Sequence, residues 1–222
     1  MISGKCWQII SVCAILLALA ACAGPRIAIK ETFGYAKREQ LTDRVQDARD
    51  DQVAAKKQFE SALKQFLAVT KVADAELADL ESRYDKLKRE YERSEGCAED
   101  VHNRIKSVQQ VADALFREWR EELKQYTDQS LRRSSEEQME ATRRQYDRLI
   151  DVMKSAEARM PPVLAAFKDQ VLFLKHNLNA RAISALQPNA NQIESDVTKL
   201  VREMETSIAE ANSFIAKMLA SK

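Results

Sequence analysis

A cysteine near the start of the chain is the residue whose surroundings most clearly indicate a chemical modification. Cys22 follows an apolar run from Ile9 to Ala18 and the small residues Ala20 and Ala21, and a single lysine precedes the run. A cationic start, an apolar segment of about a dozen residues and small residues before a cleavage point are typical of a secretory signal peptide, because a membrane span needs about 20 apolar residues. We therefore predict that residues 1–21 are a signal peptide cleaved between Ala21 and Cys22.

The tetrapeptide Leu19-Ala20-Ala21-Cys22 resembles a bacterial lipobox, in which the cysteine thiol receives a diacylglycerol and the new amino terminus receives a third acyl chain. Two or more acyl chains anchor a protein stably. The next residue is Ala23 and not Asp, which by resemblance to enterobacterial lipoproteins favours the outer membrane. We expect a lipid-anchored protein of the cell envelope that faces the periplasm. The alternative is an ordinary signal peptide that leaves Cys22 as a free thiol.

Other residues that could catalyse a reaction or bind a metal are isolated from one another. The two histidines, His102 and His176, each stand alone within a helical turn, and the acidic residues alternate with lysine and arginine. A metal needs several converging ligands, and catalysis needs groups held together in a pocket. The chain also has no Gly-rich phosphate loop, nucleophile elbow or paired CxxC motif. We therefore expect no enzyme activity, no metal and no cofactor.

One thiol remains once the signal peptide is removed and Cys22 is acylated. Cys6 and Cys13 leave with the signal peptide, so the mature chain retains only Cys97. A single thiol in an oxidising compartment has no internal disulfide partner. Two interpretations stay open: Cys97 is inert on a helix surface, or it is available to another chain.

The charge of the mature chain is balanced. Removal of residues 1–21 takes one lysine from the 35 basic residues and none of the 34 acidic ones, which leaves no net charge. No overall field attracts nucleic acid. The doublets Arg132-Arg133 and Arg143-Arg144 are flanked by acids and are interpreted as solvated surface, with lipid head groups or peptidoglycan as the alternative counterparts. We expect no nucleic-acid partner and identify no small-molecule substrate.

Composition and periodicity together predict an all-α fold. Four glycines and four prolines are too few for a turn-rich fold with strands. Apolar residues alternate at spacings of four and three, the pattern of a coiled-coil seam. The first such segment consists of Leu41, Val45, Ala48, Gln52, Ala55, Phe59, Ala62, Phe66 and Val69. We predict an elongated antiparallel coiled-coil bundle of about four long helices, with residues 22–34 as the lipidated cysteine and tether and 35–222 as one helical domain.

Turn and capping residues predict where the helices end. The first break is expected between Thr70 and Ala75, with Asp74 as a cap, and capping boxes are expected at Ser134-Glu137 and Asn191-Glu194. Pro161-Pro162 should kink the third helix, which we expect to end near Pro188. Gly96 should be a local weak point of the second helix.

Residues 168–187 depart from the heptad pattern, because four consecutive apolar residues cover all sides of one turn. Such a turn is either surrounded by protein or touches a partner. One interpretation places it at the centre of the bundle. The functional interpretation is an interface for self-association or for another envelope protein, and its candidate residues are Val171, Leu172, Phe173, Leu174, Lys175, His176, Asn177, Asn179 and Arg181.

The same stretch carries a family resemblance over roughly residues 35–220. The matching segments are Asp169 to Ile183, Ile193 to Val197, Asp43-Arg44-Val45, Ala48-Arg49-Asp50, Ala55-Lys56 and Ala114-Leu115-Phe116 with Trp119. The chain resembles an uncharacterised proteobacterial lipoprotein family, domain of unknown function 2959. The resemblance implies a fold and an envelope location but no reaction and no site residues. The Gly96-Cys97 pair does not fit the pattern of that family.

Two kinds of function remain compatible with these features. The first is a spacer, scaffold or adaptor of the cell envelope that acts by reach and contact. The alternative is a holdase-like or lipid-handling bundle whose helices separate to admit apolar cargo, with Met153, Met160, Met204 and Met218 as a deformable lining.

Overall fold

The protein is built from four long α-helices. A computed structural model describes residues 25–71 and 79–220, and within them the side chains other than those of residues 25–36 and 180. The helices are α1 (Pro25–Thr70), α2 (Leu80–Leu123), α3 (Gln129–His176) and α4 (Ala180–Ala220). The described part of the chain contains no strand. The predicted all-α fold is confirmed.

The helices form a closed antiparallel ring. Helix α1 packs against α2 and α4, and α3 packs against the same two helices. Residues 124–128 connect α2 to α3, and residues 177–179 connect α3 to α4, so each turn reverses the chain direction. Helix α3 has 48 residues, which at the rise of an α-helix corresponds to about 72 Å. The long-helix bundle expected from the heptads is therefore confirmed.

The predicted seams form the hydrophobic core. All nine residues of the first seam are buried, and so are the seam residues of α4 from Ile193 to Met218. Aromatic contacts link helices: the rings of Phe66 and Phe167 meet edge to face at 6.1 Å, and those of Phe116 and Tyr146 lie 5.7 Å apart. The four-and-three spacing places these residues on one stripe of each helix, which explains why they were identifiable in the sequence.

Helix α1 begins before the predicted start of the helical domain. Its first residue is Pro25, so the backbone of residues 25–34, where the sequence predicted a tether, is helical. The predicted signal peptide, the cleavage site at Ala21 and the lipidation site at Cys22 lie outside the described residues. The predicted cap Asp74 also lies outside them.

Helix α3 begins earlier than the sequence indicated. Asp128 is its N-cap, and the Asp128 carboxylate accepts hydrogen bonds from the backbone N–H groups of Ser130 at 2.7 Å and Leu131 at 3.2 Å. Ser134 and Glu137 lie within the helix, so the predicted capping box is wrong. A carboxylate placed to accept two of the free amides is a strong cap, and it starts the helix before the serine is reached.

Helix α3 continues through Pro161 and Pro162 without interruption. Both prolines are exposed, while Met160 and Val163 on either side of them are buried. The prolines remove two backbone donors on the solvent side of the helix, where water can satisfy the carbonyl groups left without a partner. The heptad phase therefore passes through this site, as the sequence predicted.

The turn between α3 and α4 lies earlier than predicted. Helix α3 ends at His176 and α4 begins at Ala180, so Pro188, Asn191 and Glu194 all lie inside α4. The predicted end near Pro188 and the predicted capping box at Asn191-Glu194 are therefore wrong. Pro188 is in the third turn of α4 and is exposed, which lets the helix tolerate the loss of one backbone hydrogen bond.

Candidate functional site

The two ends of the bundle differ in the chain segments that they contain. The start of α1 lies beside the end of α2, because Lys37 pairs with Glu118 and the Arg38 guanidinium stacks 4.5 Å from the centre of the Trp119 ring. At the other end, the Gln187 side chain of α4 donates to the Thr70 carbonyl at the end of α1 at 3.5 Å. We call these the α2–α3 end and the α3–α4 end.

The candidate interface lies at the α3–α4 end, and the structure divides it into core and surface. Val171 and Leu174 are buried, in phase with Phe167, so their assignment to an interface is corrected. Leu172 and Phe173 retain 50% and 40% of their surface exposed. Spacings of four and three turn residues 167, 171 and 174 toward the core, which forces the two residues between them outward. Two residues of the four-residue apolar run are therefore core and two are surface, and an interface at the exposed pair stays a prediction.

Two polar residues of the candidate interface shape the turn itself. The Asn177 side chain donates to the Phe173 carbonyl at 2.8 Å, and its backbone N–H donates to Leu174 at 3.1 Å, which closes the end of α3. The Asn179 side-chain oxygen accepts from the Ala182 N–H at 3.0 Å, which caps α4. These bonds satisfy backbone groups that a helix end leaves without partners. Asn177 and Asn179 therefore position the turn.

One exposed residue was missed in the sequence. Leu178 lies in the turn between the two asparagines and is 39% exposed. The sequence placed the helix break ten residues later, so Leu178 was assigned to a helix interior. The signal that could have located it is the pair Asn177 and Asn179, because asparagine favours turns and helix caps through its side-chain hydrogen bonds.

Cations surround these exposed apolar residues. Lys168, Lys175 and Arg181 are exposed and form no ion pair with a described residue, and His176 is also exposed. Some cations on the sides of the bundle reach acids of neighbouring helices: Lys56 lies 2.6 Å from Glu205, and Arg104 lies 2.8 Å from Asp51. We call the surface at the turn the α3–α4 tip, and it comprises Lys168, Leu172, Phe173, Lys175, Leu178 and Arg181.

The positions of the tip residues on α3 follow from helical spacing. Lys168, Leu172 and Lys175 are separated by four and three residues, so they lie along one outward stripe of the helix. Asp169, Phe173 and His176 form the adjacent stripe by the same rule. An apolar residue is therefore flanked by two ammonium groups on a single face. This arrangement can bind an amphiphilic anionic partner, and it contains no nucleophile placed against a base.

The other sequence candidates for chemistry do not form a catalytic or metal site among the described residues. His102 Nδ1 lies 2.5 Å from the Glu157 carboxylate, which links α2 to α3 at the surface. Cys97 is half-buried, and the pKa of its thiol is raised by burial and by the nearby carboxylates of Asp100 and Asp51. Within the described ranges, no three His, Cys, Asp or Glu side chains gather where they could hold a metal ion.

A shallow depression of about 190 Å³ lies between α2 and α3. Phe116 and Arg143 are among the residues that line it. The Arg143 guanidinium lies 5.0 Å from the centre of the Phe116 ring and 5.7 Å from that of the Tyr146 ring, and it donates to Asp147 at 2.9 Å. Burial raises the pKa of Tyr146 to about 12, so the phenol stays neutral. Because this arginine is already stacked and paired, the doublet Arg143-Arg144 is part of a structured helix surface.

The fold and the candidate site define the class of protein. It is a closed antiparallel bundle of four long helices whose large exposed apolar side chains, among the described residues, lie at helix ends and turns: Tyr126, Leu131, Leu172, Phe173, Leu178 and Leu219. The chain belongs to the family described as protein of unknown function DUF2959, whose model matches residues 27–218. No curated protein and no solved structure matches it. No helix in the described ranges is long and apolar enough to span a membrane.

Proposed function

We propose that the protein is a lipid-anchored spacer or adaptor of the cell envelope, held in the outer membrane through Cys22 and facing the periplasm. In this role it spans the distance between the membrane that anchors it and a partner that it contacts, and it does not act by catalysis. The observation that carries this proposal is the separation of two features: the start of α1 and the α3–α4 tip lie at opposite ends of a bundle whose longest helix spans about 72 Å. An anchor at one end would present the tip at the other.

The sequence around Cys22 supports the anchor. The apolar run, the small residues Ala20 and Ala21 and the cysteine match the requirements of signal cleavage followed by thiol acylation. Cys22 precedes Pro25 by three residues, so the length of the chain keeps an acylated cysteine within about 11 Å of the start of α1. An anchor there would hold the α2–α3 end near the membrane.

Metabolic labelling with a palmitate analogue tests the anchor. The full chain is produced in a bacterium and the envelope is fractionated. We expect the wild type to carry the label and to sediment with membranes, and the variant Cys22→Ser to lose both properties. The matched control is Cys97→Ser, which changes the half-buried thiol on α2 in the same way and should keep the label. Equal labelling of Cys22→Ser and the wild type would exclude the lipobox interpretation.

Crosslinking in intact envelopes tests the contact at the tip. The double variant Leu172→Glu and Phe173→Glu places two charges at exposed positions and should lose the crosslinked species, with protein or with lipid, that the wild type forms. The matched control, Leu131→Glu with Leu219→Glu, changes two leucines that are 58% and 48% exposed at other helix ends and should keep these species. Circular dichroism of both variants checks that they fold. Loss of the species from the control alone would assign the contact to another surface.

A second candidate function is the binding of apolar cargo between separated helices. It is favoured by a polar defect inside the core: the amide nitrogen of Gln52 is buried with no hydrogen-bond partner among the described residues, which lowers the cost of separating α1 from its neighbours. The four methionines proposed as a lining are all buried. Co-purification of lipid with the folded protein, or suppression of client aggregation, would support this function over the spacer.

A further inference from the structure

We propose that the α3–α4 tip binds the surface of an anionic lipid bilayer. The inference deepens the proposed function, on which it rests for the location of the tip, by naming the component that the tip contacts. If one end of the bundle is anchored by acyl chains, a tip that binds lipid would join two bilayers, or would lay the bundle down on a single one.

The apolar part of the tip is small and lies on a convex turn. Leu172, Phe173 and Leu178 are 50%, 40% and 39% exposed, and the last of them sits on the three-residue turn itself. A stable protein interface buries roughly 800 Å² on each partner, which three half-exposed side chains on a turn do not provide. A few apolar side chains beside cations are sufficient for insertion into the boundary between head groups and acyl chains.

The cations of the tip are placed for head-group contact. Lys168 and Lys175 flank Leu172 on one stripe of α3, and Arg181 follows in the first turn of α4. Long aliphatic stems let such side chains keep their charge at the head groups while an apolar neighbour lies deeper. Each lysine or arginine near an anionic membrane strengthens binding about fivefold. None of the three is neutralised by an ion pair with a described residue.

Charge distinguishes the turn between α3 and α4 from the turn between α2 and α3. The 20 residues 168–187, which contain the tip, carry three basic residues and one acidic residue. The 20 residues 121–140, which contain the turn between α2 and α3, carry three basic and six acidic residues. An anionic surface therefore attracts the first turn and repels the second, although the exposed Leu131 and Tyr126 make the second turn apolar as well.

Vesicle tethering by the mature, lipid-bearing protein tests the inference. The protein is reconstituted into donor vesicles of phosphatidylcholine, and flotation shows whether it is anchored there. Fluorescent acceptor vesicles of phosphatidylglycerol or of phosphatidylcholine are then added. We expect capture of the anionic acceptors only, weakened by salt. If flotation shows no anchoring, the proposed function fails, and binding of the unanchored protein to the same acceptor vesicles is measured by co-sedimentation.

Two variants of the tip and one control distinguish binding by the tip from a general effect of positive charge. The variant Lys168→Gln, Lys175→Gln and Arg181→Gln should bind anionic vesicles about a hundredfold more weakly. Its control, Arg132→Gln with Arg133→Gln, removes exposed cations at the α2–α3 end and should bind like the wild type. The variant Leu172→Ser with Phe173→Ser should bind anionic vesicles more weakly than the wild type, and its binding should still decrease as salt is added.

Four results would overturn the inference. These are equal capture of neutral and anionic vesicles, unchanged capture by the triple glutamine variant, clustering of donor vesicles without acceptors, and absence of capture by a folded, anchored wild type. Donor clustering would show that tips bind one another. Crosslinking of the tip to an envelope protein, with no capture of lipid, would show that the partner is a protein surface.

Discussion

Ser207 of α4 donates a hydrogen bond of 2.8 Å to the side-chain oxygen of Gln52 of α1, and both residues are fully buried in the core. The bond joins two helices through residues that are 155 positions apart in the chain. The amide nitrogen of Gln52 has no partner among the described residues. The bond therefore favours one register of α1 against α4. Because the amide nitrogen is unpaired, the two polar residues stabilise the fold less than two apolar side chains at the same positions would.

Removal of one partner of this pair should destabilise the protein, whereas removal of both should not. Ser207→Ala should lower the free energy of unfolding by about 1–2 kcal/mol, because it leaves a second buried polar atom on Gln52 without a partner. Gln52→Met combined with Ser207→Ala should restore or exceed the wild-type stability, because it removes both polar groups at similar volume. Urea unfolding followed by circular dichroism measures both changes.

Ser94 is the matched control for this prediction. It is also fully buried in a seam, but its hydroxyl donates to the Glu90 carbonyl of its own helix at 2.8 Å. Its bond to another helix is long, 3.5 Å from the Gln58 amide nitrogen of α1. Ser94→Ala should change stability by less than Ser207→Ala, because Gln58 keeps its two bonds to Glu90. An equal loss in the two serine variants would show that the bond between helices has no special role.

The neighbouring leucines at the end of α3 should respond differently to truncation. Leu174→Ala should cost about 2–5 kcal/mol of unfolding free energy, because it removes buried methyl groups and leaves a cavity. Leu172→Ala, at a half-exposed position, should change stability by less than about 0.5 kcal/mol. Denaturant titration of both variants checks the division of the stretch 168–187, and similar costs would contradict it.

Gly96 offers a stabilising substitution. It lies within α2, and beyond the neighbouring residues and backbone of its own helix a methyl group added there would meet no atom within 4 Å. Gly96→Ala should raise the melting temperature and stabilise the protein by about 0.5–1 kcal/mol, because glycine has the higher entropy in the unfolded chain. The converse control, Ala54→Gly at an exposed position of α1, should cost about the same amount. Destabilisation by Gly96→Ala would contradict the open, helical environment of this residue.

Asp128 should make the stability of α3 depend on pH. Bonds from the Ser130 hydroxyl and from the backbone N–H groups of Leu131 and Ser130 hold the pKa of the Asp128 carboxyl below its ordinary value of 3.8. Because the folded pKa is the lower one, the charged cap stabilises the fold above the ordinary pKa, and this stabilisation is lost as pH falls through the folded pKa.

The comparison of Asp128→Ala with the wild type measures this effect. The variant should melt at a lower temperature at pH 7, and the difference should shrink as pH falls below about 4. Asp128→Asn should keep most of the cap with no such pH dependence, since asparagine also accepts from backbone amides. Ser134→Ala should have little effect, because Ser134 lies inside the helix. A larger loss from Ser134→Ala than from Asp128→Ala would restore the capping box predicted from the sequence.

The number of helices and their buried faces could be predicted from the sequence because heptad spacing is a local property. The seam from Leu41 to Val69 is buried as predicted, and so is the seam from Ile193 to Met218. Alternation of four and three places a residue on the core face of its helix whatever lies opposite. The composition likewise excluded a fold rich in strands.

Helix ends were harder to predict because several residues in each connection can act as caps. Ser134 and Asn191 have good capping sequences, yet Asp128 and Asn179 start the helices. Which of these residues becomes the cap depends on where the helix must start for its seam to pack against the neighbouring helix. Pro188 was overrated as a helix end, because it lies on an exposed face of α4, where the loss of one backbone hydrogen bond is tolerated.

Composition and spacing were sufficient to predict an all-helical chain with continuous apolar seams, since both are local properties of the chain. The packing of the helices was needed to establish that Leu174 is core while Leu172 and Phe173 are surface. It also established that Ser207 bonds to Gln52, and that the start of α1 and the α3–α4 tip occupy opposite ends. The reason is physical: the direction of each turn and the register between helices depend on contacts between residues far apart in the chain.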